Sequence, residues 1–303
     1  MRVLISGSSG LVGSALRQSL AAAGDEAIRL IRPGAKAEGP SVSWDPEAGR
    51  LDAAALEGLD AVVHLAGENI AEGRWTEAKK RRIRRSRVEG TRLLSEALVS
   101  LARPPRVLLS ASAIGYYGDR GAEVLTENSP PGSGFLPEVC QAWEKATEAA
   151  ARKGIRVVCA RFGVILSPAG GALKKMLVPF RLGMGGVVGS GDQQMSWISL
   201  QDAVGAIQHA LRTEALSGPL NTVAPQPVTN RAFTRVLASV LSRPAVFPVP
   251  AFAIRLLFGE MGDAALLASV RVKPERLQAS GYRYRHSDLE TALRDLLDRS
   301  KPR

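Results

Sequence analysis

At 303 residues, 45% hydrophobic and 23% charged, the chain holds enough apolar material for a full core, too little bias for disorder, and no 18-residue apolar run to span a bilayer. Its net charge of +11 is unevenly placed: residues 1–150 carry 19 Lys/Arg against 19 Asp/Glu, and residues 151–303 carry 21 against 10. Two cysteines (Cys140, Cys159) and three dispersed histidines (His64, His209, His286) give neither a disulfide framework nor metal-ligand spacing. With no signal h-region at the start, a cytoplasmic protein without metal is expected.

Arg2–Ser6 reads as a buried strand, and Gly7, Gly10 and Gly13 follow at three-residue spacing, before a helix from Ser14 to Gly24. Strand, glycine loop and helix in this order build a cradle for a dinucleotide pyrophosphate. One glycine permits the turn, one lets the backbone approach the phosphates, and one lets the helix pack close to the strand. Unpaired N–H groups at the helix start then face the anion. The predicted cofactor loop is Gly7, Ser8, Ser9, Gly10, Leu11, Val12 and Gly13.

The second strand is Glu26–Arg32. An NAD site ends this strand in an acid that holds the ribose 2′-hydroxyl. Here the end reads Arg29, Leu30, Ile31, Arg32, and the acids Asp25 and Glu26 precede the strand. A guanidinium suits a 2′-phosphate. NADP(H) is therefore expected rather than NAD(H), with Arg32 as its contact and Arg29 as a surface residue.

A Gly/Pro/Ala-rich loop leads to an extended piece at Ser41–Trp44. Asp60–Gly67 is a strand whose end, Leu65, Ala66 and Gly67, would border the cofactor. A long helix is predicted over Thr76–Leu101, capped by Thr76, with Ile83, Gly90, Leu94, Ala97 and Leu101 inward. Seven of the nine residues Lys79–Arg87 are basic. The run reads as a solvated helix face, not a nucleic-acid grip.

Strands at Arg106–Ser112 and Ile155–Arg161 flank a helix over 137–153, and Arg161 is taken as a further cofactor contact. Residues 167–195 read as a glycine-rich, loop-like substrate segment carrying Lys174, Lys175 and Arg181. Gln194, Ser196 and Trp197 floor the pocket, or Trp197 is core. Gln201–Arg212 is helical, with Asp202 as a helix-start carboxylate. A strand over Leu220–Ala224, a helix from Thr229 to Ser242 and a link at Pro244–Pro250 precede a mostly helical tail.

The alternation predicts an α/β Rossmann-type doubly wound parallel sheet with a smaller, mostly helical C-terminal substrate-side domain. Residues 1–166 and 201–243 would form the cofactor unit; residues 167–200 and 244–303 would form the substrate side. A basic substrate side predicts an anionic small-molecule substrate; the alternative is a basic solvated surface.

Gly7-x-x-Gly10-x-x-Gly13, Val62–Gly67, Val88-Glu-Gly-Thr91 and Ser110-Ala-Ser112 resemble an extended short-chain dehydrogenase/reductase. Ala113-Ile-Gly-Tyr-Tyr-Gly118, Cys140-x-x-Trp143-Glu144, Gly189–Ile198 and Ser269–Tyr282 resemble more closely the atypical epimerase-family branch, which ends in a C-terminal domain of unknown function. The glycine loop is shared widely; the other segments are much more specific, and the likeness spans nearly the whole chain. It implies a Rossmann-type fold, an NADP-type ligand with Arg87, next to Val88-Glu-Gly-Thr91, beside it as the exception in the basic run, and relatives labelled as nucleoside-diphosphate-sugar epimerases or linked to cell and plastid division. A homodimer through two long helices is compatible with it.

Ordinary members use a Tyr-x-x-x-Lys pair with a serine to move a proton as hydride transfers. Four residues after Tyr116, Tyr117, Tyr282 and Tyr284 stand Arg120, Gly121, His286 and Asp288, so this chain has no such pair. By the family pattern Cys140 takes the tyrosine position, Glu144 the lysine position and Ser112 the serine position. A carboxylate beside a thiol opposes the thiolate, which makes Cys140 a poor acid–base group. Three readings stay open. Tyr116 or Tyr117 is the acid; Glu144 is a base; or the protein binds NADP without chemistry, as a regulatory or division-related scaffold.

Overall fold

The computed structural model describes residues 1–36 and 39–298. Its main sheet contains β1 (Arg2–Ser6), β2 (Glu26–Ile31), β3 (Ser41–Asp45), β4 (Arg50–Leu51), β5 (Ala61–His64), β6 (Val107–Ala113), β8 (Arg156–Phe162) and β12 (Gly218–Thr222). They lie in the order β12-β8-β6-β5-β1-β2-β3-β4, parallel except for the edge hairpin β3–β4. β1 pairs with β2 on one side and β5 on the other, so the order reverses there. Ligands of open parallel sheets bind in the crevice at such a switch point, beyond the strand C-termini.

Period-two alternation builds the two faces. Val3, Ile5, Val63, Leu109 and Val158 pack with α1 (Leu11–Ala22) and α6 (Leu200–Arg212) in one apolar cluster. Leu4, Val62, Leu108 and Val157 pack on the other side, with Leu94 and Leu98 of α2 (Glu77–Val99) and Ala150 of α4 (Glu148–Arg152). Thr76 caps α2 through Lys79 N, and the five predicted inward residues are all buried. The helix expected over 137–153 is two: α3 (Phe135–Lys145) and α4, separated at Ala146–Thr147.

Residues 167–195 are loop-like only in part. Gly171–Arg181 is a helix, α5, because Leu173, Leu177 and Phe180 recur at helical spacing and bury against Trp197 and Phe233. Pro179 lies in its last turn, close to where the helix stops at Arg181, and the flanking glycines mask the pattern in the sequence. Trp197, on β11 (Trp197–Ser199), is core and not pocket floor. α7 (Asn230–Leu241) and the terminal α11 (Leu289–Asp298) complete this second core.

The tail is tied back through Asp202. Its buried carboxylate accepts from Ser199 Oγ (2.8 Å), Tyr282 OH (3.1 Å) and the backbone N–H groups of Arg285 (2.8 Å) and His286 (2.9 Å). β7 (Val124–Leu125) pairs with β14 (Arg271–Val272), which brings the same tail to the turn after β6.

Candidate functional site

Gly7 has φ +64, and a Cβ on it would lie 2.9 Å from the Leu65 carbonyl. A Cβ on Gly13 would lie 2.3 Å from Gly7 O. Those two positions thus keep the loop, α1 and the end of β5 in close register. Gly10 precedes α1 without a side-chain cap, so first-turn N–H groups are left for a ligand. Ser6 Oγ braces the loop from below. It accepts from Leu65 N (3.0 Å) and Ala66 N (3.2 Å) and reaches His64 Nδ1 at 2.6 Å.

His64 is fully buried, edge-on to Trp44, and burial lowers its pKa to about 4. Folded His64 stays neutral while the unfolded chain takes up a proton near pH 6.5. This contribution is complete above pH 6.5 and is lost as pH falls toward 4, by up to about 3 kcal/mol. Urea titrations at stepped pH should show that slope, and His64→Gln should remove it.

The loop opens on a cleft of about 630 Å³ at the switch point. Gly7, Ser8, Ser9 and Gly10 form one wall, and Leu65, Ala66 and Gly67 another. Arg29 and Arg32 also line it, together with Arg82 and Arg85 from α2. Arg29 is not a surface residue: it is buried, and its Nε donates to Ser8 Oγ at 3.2 Å. Arg32 is exposed at the rim.

The basic run is not a uniform solvated face. Lys79 is buried and pairs with Glu68 at 2.7 Å, while Arg82 and Arg85 stay exposed and border the cleft. Sequence reasoning missed these two arginines. Their signal was present as a charge run, but which members border the cleft depends on where α2 crosses it. Arg87 lies behind Gly67, donating from Nη1 to Glu68 O (3.0 Å) and Ile83 O (3.2 Å), with Cζ 5.0 Å from the Trp143 ring.

Beyond Arg87 lies a second polar cluster, at the C-terminal end of β6. Ser112 Oγ donates to Glu144 Oε1 at 2.7 Å. Arg161 grips the same carboxylate with both Nε and Nη2, each at 2.8 Å, and donates from Nη1 to Tyr117 OH at 2.9 Å. Burial works against the Arg161 charge, but Glu144 and Tyr117 outweigh it and raise its pKa. Arg161, expected on the cofactor, thus has its guanidinium committed to this cluster.

Tyr117 is fully buried, with its hydroxyl against Thr126 O (2.9 Å) and Asn221 Oδ1 (2.7 Å), and burial raises its pKa to about 12. It is a brace, not a side chain free to swing. Tyr116 is half-buried, and its ring covers Arg161 Cζ at 3.5 Å. Burial, then Glu144, push the Cys140 thiol up to about 12, so it stays protonated. Ser112, Glu144, Tyr116 and Tyr117 are brought together here; Cys140 adds no thiolate.

Residues 3–222 match the NAD dependent epimerase/dehydratase family, and residues 249–296 match a domain of unknown function, DUF1731. The Mycobacterium bovis epimerase family protein Mb2239 is 45% identical over 291 residues, 96% of each chain. Bacillus subtilis epimerase family protein YfhF is 35% identical and covers 98% of each. The solved structure of human epimerase family protein SDR39U1 (isoform 2) with NADPH superposes with a TM-score of 0.91 at 36% identity, covering 98% of this chain and 99% of that one. On sequence and fold alike, the chain belongs to the NAD-dependent epimerase/dehydratase family and carries that family's Rossmann-like sheet with a DUF1731 tail.

Proposed function

We propose that this protein is an NADP(H)-dependent oxidoreductase or epimerase acting on a small, anionic, sugar-nucleotide-like substrate. The observation that carries the reading is the cleft itself: the glycine cradle and four arginines line one cavity, with no acid at the end of β2. The NADPH held by the human relative supports it. The cradle fits a pyrophosphate, since both the backbone approach and the uncapped helix start are in place. Arg29, Arg32, Arg82 and Arg85 would surround the 2′-phosphate. A nicotinamide coenzyme held there would supply hydride-transfer chemistry.

This chain's own residues then orient the substrate and carry the proton. Ser112, whose hydroxyl proton points to Glu144, keeps its lone pairs for a substrate hydroxyl. Glu144 and Arg161 are positioning residues that fix the Ser112 rotamer. Tyr116 is the better acid of the two tyrosines, because the Tyr117 hydroxyl is already engaged on three sides. The basic second half favours an anionic substrate.

A second reading is supported by the inert Cys140 and the missing Tyr-x-x-x-Lys pair: an NADP-binding regulatory scaffold. Transfer of deuterium from 4-labelled NADPH to sugar-nucleotide carbonyls separates the two. Stereospecific transfer, lost with Tyr116→Phe and Ser112→Ala, is the expected result. Tight NADPH binding without transfer across a broad panel would favour the scaffold.

A further inference from the structure

Two stretches of the chain, residues 149–191 and 215–259, contain neither Asp nor Glu. They meet on one surface. Phe247 N donates to Gly185 O (3.2 Å), Val249 N to Val187 O (2.8 Å) and Arg243 Nε to Arg181 O (3.1 Å). The helix α8 (Ala251–Phe258) follows after Pro250 and meets the same 71–74 turn as α5, with Lys175 Nζ donating to Ala71 O (3.1 Å) and Arg74 Nη2 to Leu256 O (2.5 Å). Along this surface large apolar side chains project into solvent: Val178 and Leu182 on and just past α5, Val246 and Phe247 in the link, and Phe252 and Leu256 on α8. Each of these six is 58–71% exposed. Apolar groups gathered this way mark an interaction surface.

Cations rim it. Lys174, Lys175, Arg181, Arg243 and Arg255 are all exposed, and of these Arg255 is met by Asp263 at 2.8 Å. The charge pattern disfavours a second copy as occupant, because a two-fold contact would set Lys174, Lys175, Arg181 and Arg243 against their own copies, and the carboxylate at the rim, Asp263, is already taken by Arg255. A groove for a partner helix is disfavoured too: side chains lining a groove are shielded by its walls, whereas these protrude. Projecting Phe and Leu side chains with a lysine and arginine rim are the pattern of helices that lie in a lipid interface. Among the described residues no helix is long and apolar enough to cross a membrane, so any attachment would be shallow.

We propose that α8, the 244–250 link and the outer face of α5 seat this protein reversibly on an anionic lipid bilayer. The aromatic and leucine side chains enter the headgroup boundary, and the basic rim meets the lipid phosphates.

The test is flotation of the full-length protein with phosphatidylcholine vesicles, with and without about one-third phosphatidylglycerol, at low and high salt. The expected result is binding to the anionic vesicles alone, weakened by salt. Phe252→Ser with Leu256→Ser should lower it about tenfold, and Lys174→Glu with Arg181→Glu should do likewise, both with NADPH affinity unchanged. The proposal is overturned if the parent fails to float with anionic vesicles, binds neutral ones equally, or is matched by either double variant. It is also overturned if sedimentation without lipid shows a dimer that Phe252→Ser with Leu256→Ser abolishes.

Discussion

Removing two of the cleft arginines, with Arg32→Ala and Arg85→Ala together, should weaken NADPH binding about a hundredfold or more and leave NADH binding unchanged. Each charge-assisted hydrogen bond to a phosphate contributes about 1.5–3 kcal/mol, and NADH lacks the group these side chains meet. Arg32 is exposed at the rim, and Arg85 reaches the cleft from α2 while its Nη2 donates to Glu47 O at 3.0 Å. Neither is part of the core, so the fold should survive. Calorimetric titration with both coenzymes is the check. A parallel loss for NADH would place the arginines on the shared part of the ligand, and a parent that prefers NADH would undo the 2′-phosphate assignment.

Glu144→Gln should cost about 3–5 kcal/mol of stability, because it leaves the Arg161 guanidinium charged, buried and without its counter-ion. The pair is bidentate, with side chains 3% and 16% exposed. Replacing both partners by apolar residues, Glu144→Leu with Arg161→Met, should recover much of that loss, since the desolvation cost leaves with the charges. Activity should not return with it, because Ser112 loses the acceptor that sets its rotamer. Urea unfolding of the single and double variants, beside a deuterium-transfer assay, separates the two effects. If the double variant regains both stability and transfer, Glu144 has no positioning role.

Local signals carried well where neighbours in sequence are also neighbours in space. The cradle is such a case: strand, glycines and helix lie within about twenty residues, and the turn at Gly7 and the close backbone approach at Gly13 demand glycine there. The absence of an acid after β2 was equally readable. Arg29 was misjudged because a strand residue is exposed or buried according to what covers the sheet edge. Here Ser8, from a loop one strand away, turns its side chain inward. α5 was misjudged for a different reason: glycines at both ends hid an apolar repeat that has meaning only against Trp197 and Phe233.

The amino-acid order by itself determined the sheet's long strands, the glycine cradle and the family, since each depends on contacts a few residues long or on short motifs. Tertiary structure alone decided which members of a basic run border the cleft, and that Glu144 is clamped by an arginine seventeen residues away. It also decided that Tyr117 is locked by Asn221, 104 positions on. Such pairings depend on how helices cross a sheet and on where water is excluded, and no local pattern in the chain encodes either.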